Sequence, residues 1–345
     1  MLDLQELLAR LADPATVCIL PHNNPDPDAL AAALGLKLLL ERRTPCRVRI
    51  VFGGIISRRN NREMVRLLEI PLIPASTPGA LEADHFCLVD CQPGAGNNPL
   101  PEDVIPLLVL DHHPPPEVRR PAHIEEIQLT AGSTSAMVGE LLVASDLVPE
   151  TNLATALYYG IKTDTDGLAR DASDLDRSMF QLLFPLIDPV KLAAIEKPDL
   201  PRTYYQDIGD AVMGARLFGG VLVADLGTVW SPEMPAEMAD FFLRMEGVEA
   251  VLAYGLYEQR VFFSLRHRCP GFFLGDLAVD MVRGFGSAGG HRWSAGGTFP
   301  YDDATLAEVR RRFFAAFEHD EAAYLPLLEA AEDPLAGRTG QPPDR

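Results

Sequence analysis

The feature that most constrains this chain is a regular alternation of short apolar runs with helical patterns over its first third. Runs that are apolar throughout are typical of parallel strands covered on both faces, because such strands have no face turned to solvent. The predicted strands are residues 15–22, 46–54, 84–92 and 105–113, and the helical stretches between them include 28–43 and 57–70. This order predicts an α/β fold with a doubly wound, mostly parallel sheet.

The second half of the chain changes character. Helical segments at 132–147 and 151–165 are followed after residue 215 by two β-rich runs, one of them hairpin-like around "YEQR". We therefore expect a first domain at 1–190, a helical linker at 191–214, a smaller α+β domain at 215–330 and a flexible tail at 331–345. A length of 345 residues agrees with two domains, because single cores rarely grow that large.

The composition argues against several classes of protein. Apolar residues make up 47%, but no apolar run approaches the roughly 20 residues of a membrane helix. The N-terminus lacks the pattern of a signal peptide, and the five scattered cysteines show no disulfide framework. A net charge of -19 argues against a coat for long nucleic acid, whose affinity comes mainly from Lys and Arg. We expect a cytoplasmic protein with free thiols and no membrane partner.

Imidazole and carboxylate side chains gather where the predicted strands and one helix end. They are His22, Asp26 and Asp28 after the first strand, Asp90 at the end of the third, Asp111, His112 and His113 at the end of the fourth, and Asp164 at the end of a helix. A single Asp after a strand is ordinarily a turn former or a helix cap, and Asp28 is also expected to cap a helix that begins at Ala29. In open α/β sheets, however, ligands bind at the carboxyl ends of the strands. Four chain segments therefore deliver such groups to one edge.

This cluster predicts a metal site. Several carboxylates at one place repel one another unless a cation compensates their charge. A mixed set of imidazoles and carboxylates suits Mn²⁺, with Mg²⁺, Co²⁺, Zn²⁺ or Fe²⁺ as alternatives. Five or six ligands suffice for two ions about 3.5 to 4 Å apart that share one carboxylate. The expected cofactors are therefore two divalent metal ions.

The order and spacing of these residues resemble the motifs of the DHH phosphoesterase superfamily. The matching positions are His22, Asp26 and Asp28 in "HNNPDPDA", Asp90, the triplet Asp111, His112 and His113, and Asp164 in "GIKTDT". Residues 284–297, "GFGSAGGHRWSAGG", resemble the glycine-rich element of the DHH-associated C-terminal domain. The resemblance covers nearly the whole chain and favours the NrnA-like branch of nanoRNases and pAp phosphatases.

The resemblance also implies roles for these residues. One ion would be held by His22, Asp26 and Asp90, and the other by Asp28, Asp90, His112 and Asp164, so that Asp90 bridges them. Water between the ions would be the nucleophile, and His113 would contact the phosphate or protonate the leaving oxygen. Asp111 would orient an imidazole or a loop. His113, Asp90 and Asp111 are thus expected at the catalytic centre, in a cleft between the two domains.

In the second domain the resemblance points to substrate contacts. Arg266 in "VFFSLRHR" would bind a substrate phosphate, and Gly289, Gly290 and His291 would contact the nucleotide or its terminal phosphate. Two other interpretations stay open: Arg266 could be a surface arginine in an ion pair, and His291 a buried structural residue.

The match is weaker at positions that would read the substrate. Ser287 and Ala288 stand where the family usually has glycine, and His267 stands where it often has serine. The chemistry is therefore better specified than the substrate.

Together these features predict a metal-dependent phosphodiesterase or phosphatase of small nucleotides. The expected substrates are short oligoribonucleotides, pAp or linear dinucleotides, cleaved by a 3'-5' exonuclease-like enzyme. A cyclic-dinucleotide phosphodiesterase and an inorganic pyrophosphatase-like enzyme stay open as alternatives, and a non-catalytic nucleotide sensor is a third. The expected partner is short RNA or a small nucleotide, and the sequence leaves a homodimer open.

Overall fold

The computed structural model describes residues 4–116, 118–268, 273–290, 292–317 and 325–327. The helices are α1 Leu4–Arg10, α2 Pro27–Arg43, α3 Arg59–Leu67, α4 Thr134–Ala144, α5 Thr151–Asp164, α6 Asp174–Leu183, α7 Pro189–Glu196, α8 Arg202–Gly214, α9 Met234–Leu243, α10 Leu274–Val282 and α11 Asp303–Ala316, with a 3-10 helix at Phe184–Leu186. The strands are β1 Thr16–Leu20, β2 Arg47–Phe52, β3 Leu72–Pro74, β4 His85–Val89, β5 Leu108–Asp111, β6 Ile124–Ile127, β7 Arg216–Phe218, β8 Val221–Thr228, β9 Ala250–Tyr257, β10 Arg260–His267, β11 Ser287–Gly290, β12 Ser294–Pro300 and β13 Leu325–Pro326. The predicted tail at 331–345 and the candidate His291 lie outside the described residues.

The chain divides into two compact units, Met1–Asp199 and Leu200–Arg345. The division falls within the stretch 191–214, which the sequence marks as a linker, and α7 and α8 occupy most of that stretch. Each unit has its own sheet and its own hydrophobic core, as independent domains do.

The sheet of the N-terminal unit has six strands in the order β3-β2-β1-β4-β5-β6, and every neighbouring pair runs parallel. This confirms the predicted α/β fold. The sequence pattern does not predict the two edge strands, because β3 is short and ends in Pro74, while β6 carries Glu125 and Glu126 at its centre. Proline and charge are both tolerated at a sheet edge.

The two faces of this sheet are covered by different structures. The helices pack on one face, where Leu36 of α2 joins Ile19 of β1 in the main core. On the other face, Leu88 of β4 packs against Ala80 and Leu100, which belong to the loops before and after β4. Both faces are therefore buried, which explains the apolar runs, and loops replace helices on the second face.

Two glycines allow the helices beside the strand ends to approach closely. A Cβ at Gly35 of α2 would lie 2.5 Å from Val138 Cγ1 of α4. A Cβ at Gly160 of α5 would lie 2.3 Å from Ser135 Oγ and 3.1 Å from the Cα of Asp28. Because these positions carry no side chain, α2 packs tightly against both α4 and α5.

The C-terminal unit has a seven-stranded sheet in the order β11-β12-β10-β9-β8-β7-β13. Its neighbouring strands are antiparallel apart from β8 and β9. The turn between β9 and β10 consists of Glu258 and Gln259, both with positive φ, as in a type I′ hairpin turn. The hairpin predicted around "YEQR" is therefore confirmed.

Helices cover both faces of this second sheet. On one face, α8 and α9 pack through Ala211 and Met238 against Val251 of β9. On the other face, α10 and α11 pack through Leu274 and Phe313 in a separate core. The smaller α+β domain predicted from the sequence is thus a mixed sheet between two layers of helices.

Two further findings concern predictions made from composition. In the described part of the chain, no single helix has the length and apolar character needed to cross a membrane, although one bent pair, Asp174–Leu186 with Pro189–Glu196, passes by length and composition. Cys18, Cys46, Cys87 and Cys91 are free and buried, as predicted, and Cys269 lies outside the described residues.

Candidate metal centre

The strand order brings the predicted site residues to one point of the first sheet. From β1 the chain proceeds to β2 on one side, whereas β4 lies on the other side of β1. Open α/β sheets bind ligands at such a switch point, because the diverging connections leave a crevice at the carboxyl ends of the strands. His22, Asp26 and Asp28 follow β1, Asp90 follows β4, His112 and His113 follow β5, and Asp164 ends α5.

The N-cap and the first residue of α2 differ from those expected from the sequence. Asp26 is the N-cap, and its Oδ1 accepts a hydrogen bond of 3.0 Å from the backbone N–H of Ala29. The helix begins at Pro27, which fits the first position because its missing N–H would have no partner inside the helix. The expectation that Asp28 caps a helix beginning at Ala29 is therefore wrong, and Asp28 lies in the first turn.

The carboxylate of Asp28 is buried and bound by the N-terminus of α4. Its Oδ2 accepts a hydrogen bond of 2.7 Å from the backbone N–H of Thr134, and its Oδ1 accepts one of 2.8 Å from the N–H of Ser135. The first N–H groups of a helix have no acceptor within it, and the positive end of the helix dipole favours a negative charge there. The orientation of Asp28 is thus fixed by a helix distant in sequence.

Side chains from four chain segments meet around Asp90. His22 Nε2 lies 3.7 Å from Asp26 Oδ1 and 3.5 Å from Asp90 Oδ2. His112 Nε2 lies 3.2 Å from Asp164 Oδ2 and 3.5 Å from Asp90 Oδ1. Among the described residues, three sets have ligand atoms within 4.8 Å of one another: His22, Asp26 and Asp90; Asp28, His112 and Asp164; and Asp90, His112 and His113. The structure brings together all six residues that the resemblance assigns as metal ligands.

Asp90 links these sets. Its side chain belongs to a residue that is 3% exposed, and its two oxygens face different imidazoles, Oδ2 facing His22 and Oδ1 facing His112. Thr134 Oγ1 donates a hydrogen bond of 2.8 Å to Asp90 Oδ1. The backbone of Asp90 has φ +58°, a left-handed conformation that is uncommon outside glycine and occurs at functional sites. The Asp90 carboxylate thus lies between the two imidazoles, with one oxygen towards each.

The charges in the cluster alter one another's protonation. Burial raises the pKa of Asp90 to about 6, although the His113 imidazole opposes the rise. Burial, together with the charge of Asp90, raises the pKa of Asp28 well above its usual range. Burial alone would lower the pKa of His22, but the nearby Asp26 and Asp90 carboxylates together outweigh it and raise that pKa to about 10. The carboxylates of Asp28 and Asp90 resist ionisation and the imidazoles hold their protons for the same reason, because the cluster has too little positive charge. Divalent ions would supply that charge.

The buried carboxylate of Asp111 adjoins His113. Asp111 Oδ1 accepts hydrogen bonds from His113 Nδ1 at 2.7 Å and from the backbone N–H of His112 at 2.9 Å. Gln92 Nε2 donates to Asp111 Oδ2 at 2.7 Å and to the backbone oxygen of His113 at 2.9 Å. Burial would raise the pKa of Asp111, but the hydrogen bonds from His113 and Gln92 and the charges of the two imidazoles together outweigh it and lower that pKa. Asp111 belongs to none of the three ligand sets found among the described residues.

Some residues that support the centre carry no role in the sequence-based prediction. They are Gln92, Thr134, Ser135 and Asp176. Asp176 is buried and accepts hydrogen bonds from the N–H of Gly132 at 2.7 Å and from Ser133 Oγ at 2.8 Å, which positions the start of α4. The available signal was "GSTSA" at 132–136, a stretch of small hydroxyl residues that is typical of a helix N-terminus.

Arg266, the predicted phosphate contact of the C-terminal unit, is already engaged. Its guanidinium pairs with Asp240 of α9 and donates a hydrogen bond of 2.7 Å to Ser264 Oγ. The Arg266 side chain is 14% exposed. This geometry matches the ion-pair interpretation that the sequence leaves open.

The two predicted glycines end β11, an edge strand of the second sheet. A Cβ at Gly289 would meet no atom within 4 Å, whereas a Cβ at Gly290, which has φ +152°, would lie 2.4 Å from the Cα of Ala295. The close approach of β11 to β12 therefore requires glycine at 290 but leaves open space at 289. The role predicted for His291, outside the described residues, stays a prediction.

Comparisons with known proteins agree with the geometry of the N-terminal unit. Residues 16–161 match the model of the DHH family, N-terminal domain, and Asp164 lies just beyond the matched stretch. An uncharacterized protein of Methanocaldococcus jannaschii is 31% identical over 288 residues, which make up 83% of this chain and 58% of that protein. The chain thus spans little more than half the length of this relative.

Two solved structures are also similar. An exopolyphosphatase-related protein of Bacteroides fragilis has a TM-score of 0.69 at 18% identity over 91% of this chain and 94% of that chain, which shows a common fold. RecJ of Thermus thermophilus in complex with Mn²⁺ is 17% identical over 90% of this chain and 53% of that chain, with a TM-score of 0.47, too low to support a conclusion. The family match and the motifs around Asp90 together identify residues 16–161 as an N-terminal domain of the DHH family.

Proposed function

We propose that this chain is a metal-dependent phosphoesterase of small nucleotides and that the cluster around Asp90 is its active site. The observation that carries the proposal is that one buried carboxylate faces two ligand sets, His22 with Asp26 on one oxygen and His112 with Asp28 and Asp164 on the other. The match of residues 16–161 to the DHH family supports hydrolysis of a phosphate ester as the reaction.

The proposed metal centre holds two ions. The first is bound by His22, Asp26 and Asp90, and the second by Asp28, Asp90, His112 and Asp164. Two imidazoles among four carboxylates favour Mn²⁺, with Mg²⁺, Co²⁺ or Zn²⁺ as alternatives. Two divalent ions held there would lower the pKa of a water molecule and draw negative charge from the phosphate.

The protein's own groups keep these ligands in place. The N–H groups at the start of α4 hold Asp28, and the Thr134 hydroxyl holds Asp90, so neither carboxylate has to reorganise when a phosphate arrives. His112 Nδ1 lies 3.1 Å from the backbone oxygen of Ala131, which directs Nε2 of the same ring towards Asp164.

His113 is the proposed donor of a proton to the leaving oxygen. Asp111 engages its Nδ1, so Nε2 is the ring atom that would contact a phosphate oxygen or the leaving group. A positively charged imidazole at this place would also stabilise the negative charge that develops on the phosphate.

The proposed substrates are short oligoribonucleotides, pAp and linear dinucleotides, which the resemblance to the NrnA-like branch implies. In this proposal Arg266, Gly289, Gly290 and His291 contact the nucleotide. The net charge of -19 supports a small substrate over a long nucleic acid, which would need an extended basic surface.

A substrate panel tests the proposal. The protein is incubated with Mn²⁺ or Mg²⁺ and short RNA, short DNA, pAp, a cyclic dinucleotide, polyphosphate or pyrophosphate, and released phosphate or mononucleotide is measured. We expect turnover of short RNA, pAp or a linear dinucleotide that depends on the divalent ion. Turnover of pyrophosphate or polyphosphate alone would contradict the assignment to nucleotides. Binding of nucleotides without turnover of any compound would favour the nucleotide sensor.

A further inference from the structure

We infer that Gln92 is a positioning residue for this reaction: it holds the Asp111 carboxylate, which in turn holds the His113 imidazole in the orientation that faces substrate. The inference rests on the proposed function, because it concerns the group assigned to the leaving oxygen.

The amide of Gln92 clamps both ends of the segment from Asp111 to His113. Gln92 is 4% exposed, and its Nε2 donates to the carboxylate of the first residue at 2.7 Å and to the carbonyl oxygen of the last at 2.9 Å. Both amide hydrogens are therefore used within this group. A residue that only filled space would not need two donors at these positions.

The Asp111 carboxylate depends on these donors because it is fully buried. Its Oδ1 receives the backbone N–H of His112 and the ring Nδ1 of His113, while Oδ2 receives Gln92. A buried carboxylate oxygen that loses its donor becomes costly, and the group then rotates towards other donors. Removal of the Gln92 amide would therefore loosen the acceptor of His113.

His113 has a second carboxylate within reach. Its Nδ1 lies 2.7 Å from Asp111 Oδ1 but only 3.6 Å from Asp90 Oδ1. His113 already has a ligand atom within 4.8 Å of those of Asp90 and His112, so the ring would be free to turn towards Asp90 if Asp111 rotated away. Gln92 thereby keeps the His113 ring on Asp111 and away from Asp90.

Gln92 is itself anchored. Asn98 Nδ2 donates a hydrogen bond of 2.9 Å to the backbone oxygen of Gln92. The backbone oxygen of Asn97 accepts from the N–H of Asn23, so the loop after β4 is tied to the loop after β1. The amide of Gln92 is therefore presented from a fixed backbone, as positioning requires.

Two substitutions and a control test this inference in the full chain. Gln92→Met keeps the length of the side chain and removes both N–H donors. Gln92→Glu keeps its shape and places a carboxylate against Asp111, so it carries the test if Gln92→Met does not fold. Asn97→Ala is the control. It removes an exposed side chain of the same loop, with its hydrogen bond of 3.4 Å from Asn98 Nδ2, and keeps both the backbone oxygen that binds Asn23 and the shorter bond from Asn98 to Gln92.

We expect Gln92→Met to lower kcat about 10- to 100-fold, as loss of a hydrogen bond behind a functional group does, with KM and Mn²⁺ affinity unchanged. Gln92→Glu should lower kcat at least as much, and Asn97→Ala should match the wild type. Proton NMR of the metal-free protein gives the second readout: the His113 ring N–H bonded to Asp111 should appear far downfield. His113→Asn identifies this resonance by its loss. We expect it to be absent in both Gln92 variants and present in Asn97→Ala.

Persistence of the resonance together with a normal kcat in both Gln92 variants would overturn the inference. A fall in Mn²⁺ affinity as large as the fall in kcat would overturn it too, because Gln92 would then act on the ligand sets and not on His113. The NMR measurement needs no turnover. It therefore tests Gln92 even if the substrate panel finds no activity and the proposed function fails.

Discussion

Two regions of the molecule carry candidate site residues: the strand ends of the N-terminal unit and the glycine-rich edge of the C-terminal unit. They differ in whether these residues already have the positions that their proposed roles need. At the first, imidazole and carboxylate side chains converge on Asp90, and hydrogen bonds from α4 hold Asp28 and Asp90 in place. At the second, the Arg266 guanidinium is engaged by Asp240, and Gly289 borders open space. The difference teaches that the groups proposed for chemistry are preorganised, as catalysis by charge stabilisation requires, whereas Arg266 would have to leave Asp240 to bind a substrate.

The largest effect should come from Asp90. Asp90→Asn removes the charge shared by the ligand sets and should lower kcat by about 10³-fold or more, because charge stabilisation by metal contributes several kcal/mol. Asp166→Asn is the matched control, since it makes the same change at an exposed residue just past Asp164. Initial rates with Mn²⁺ measure both variants. An active Asp90→Asn would remove Asp90 from the site.

Addition of Mn²⁺ should distinguish the two units. All proposed ligands lie in the N-terminal unit, and an ion at 100 times its Kd adds about 2.7 kcal/mol to the free energy of unfolding. Hydrogen exchange with and without Mn²⁺ should show increased protection in β1, β4, β5 and the end of α5, and unchanged protection in β10 and β12. A similar change in both units would contradict this picture.

A methyl group added to a glycine should act very differently in the two units. At Gly160 it would lie 2.3 Å from Ser135 Oγ and 3.2 Å from Asp28 Oδ1, so Gly160→Ala should destabilise the N-terminal unit by about 1 to 3 kcal/mol. At Gly289 nothing lies within 4 Å, and Gly289→Ala should change stability by less than about 0.5 kcal/mol. Denaturant unfolding of both variants measures the contrast, and equal losses would show that the packing at Gly160 can relax.

The smallest effect should come from Arg266. If its guanidinium contacts a substrate phosphate, Arg266→Met removes a charge-assisted hydrogen bond of about 1.5 kcal/mol and raises KM about ten-fold with little change in kcat. Asp240→Asn releases the guanidinium and should lower KM or leave it unchanged. A lower melting temperature with an unchanged KM in Arg266→Met would assign the residue to the fold alone.

The sequence pattern predicts the parts of the molecule that local physics determines. Apolar runs such as β1 and β4 identify the buried strands, and the carboxylates and imidazoles at their ends indicate the metal centre. The sequence pattern does not predict contacts between residues that are distant in the chain. Gln92 looks like an ordinary loop residue, and only folding brings Asp111 beside it. Likewise, the backbone N–H of Thr134 reaches Asp28 only because α4 and α2 pack together. The sequence pattern misplaces the cap of α2 for a local reason: both Asp26 and Asp28 are good N-cap residues, and Pro27 at the first helical position selects Asp26.

The most direct test of the central claim is anomalous diffraction at the manganese absorption edge from crystals grown with Mn²⁺. We predict two peaks about 3.5 to 4 Å apart, both within bonding distance of the Asp90 carboxylate, with His22 on one and His112 on the other. A single peak, or peaks that do not contact Asp90, would contradict a two-metal centre at this edge of the sheet.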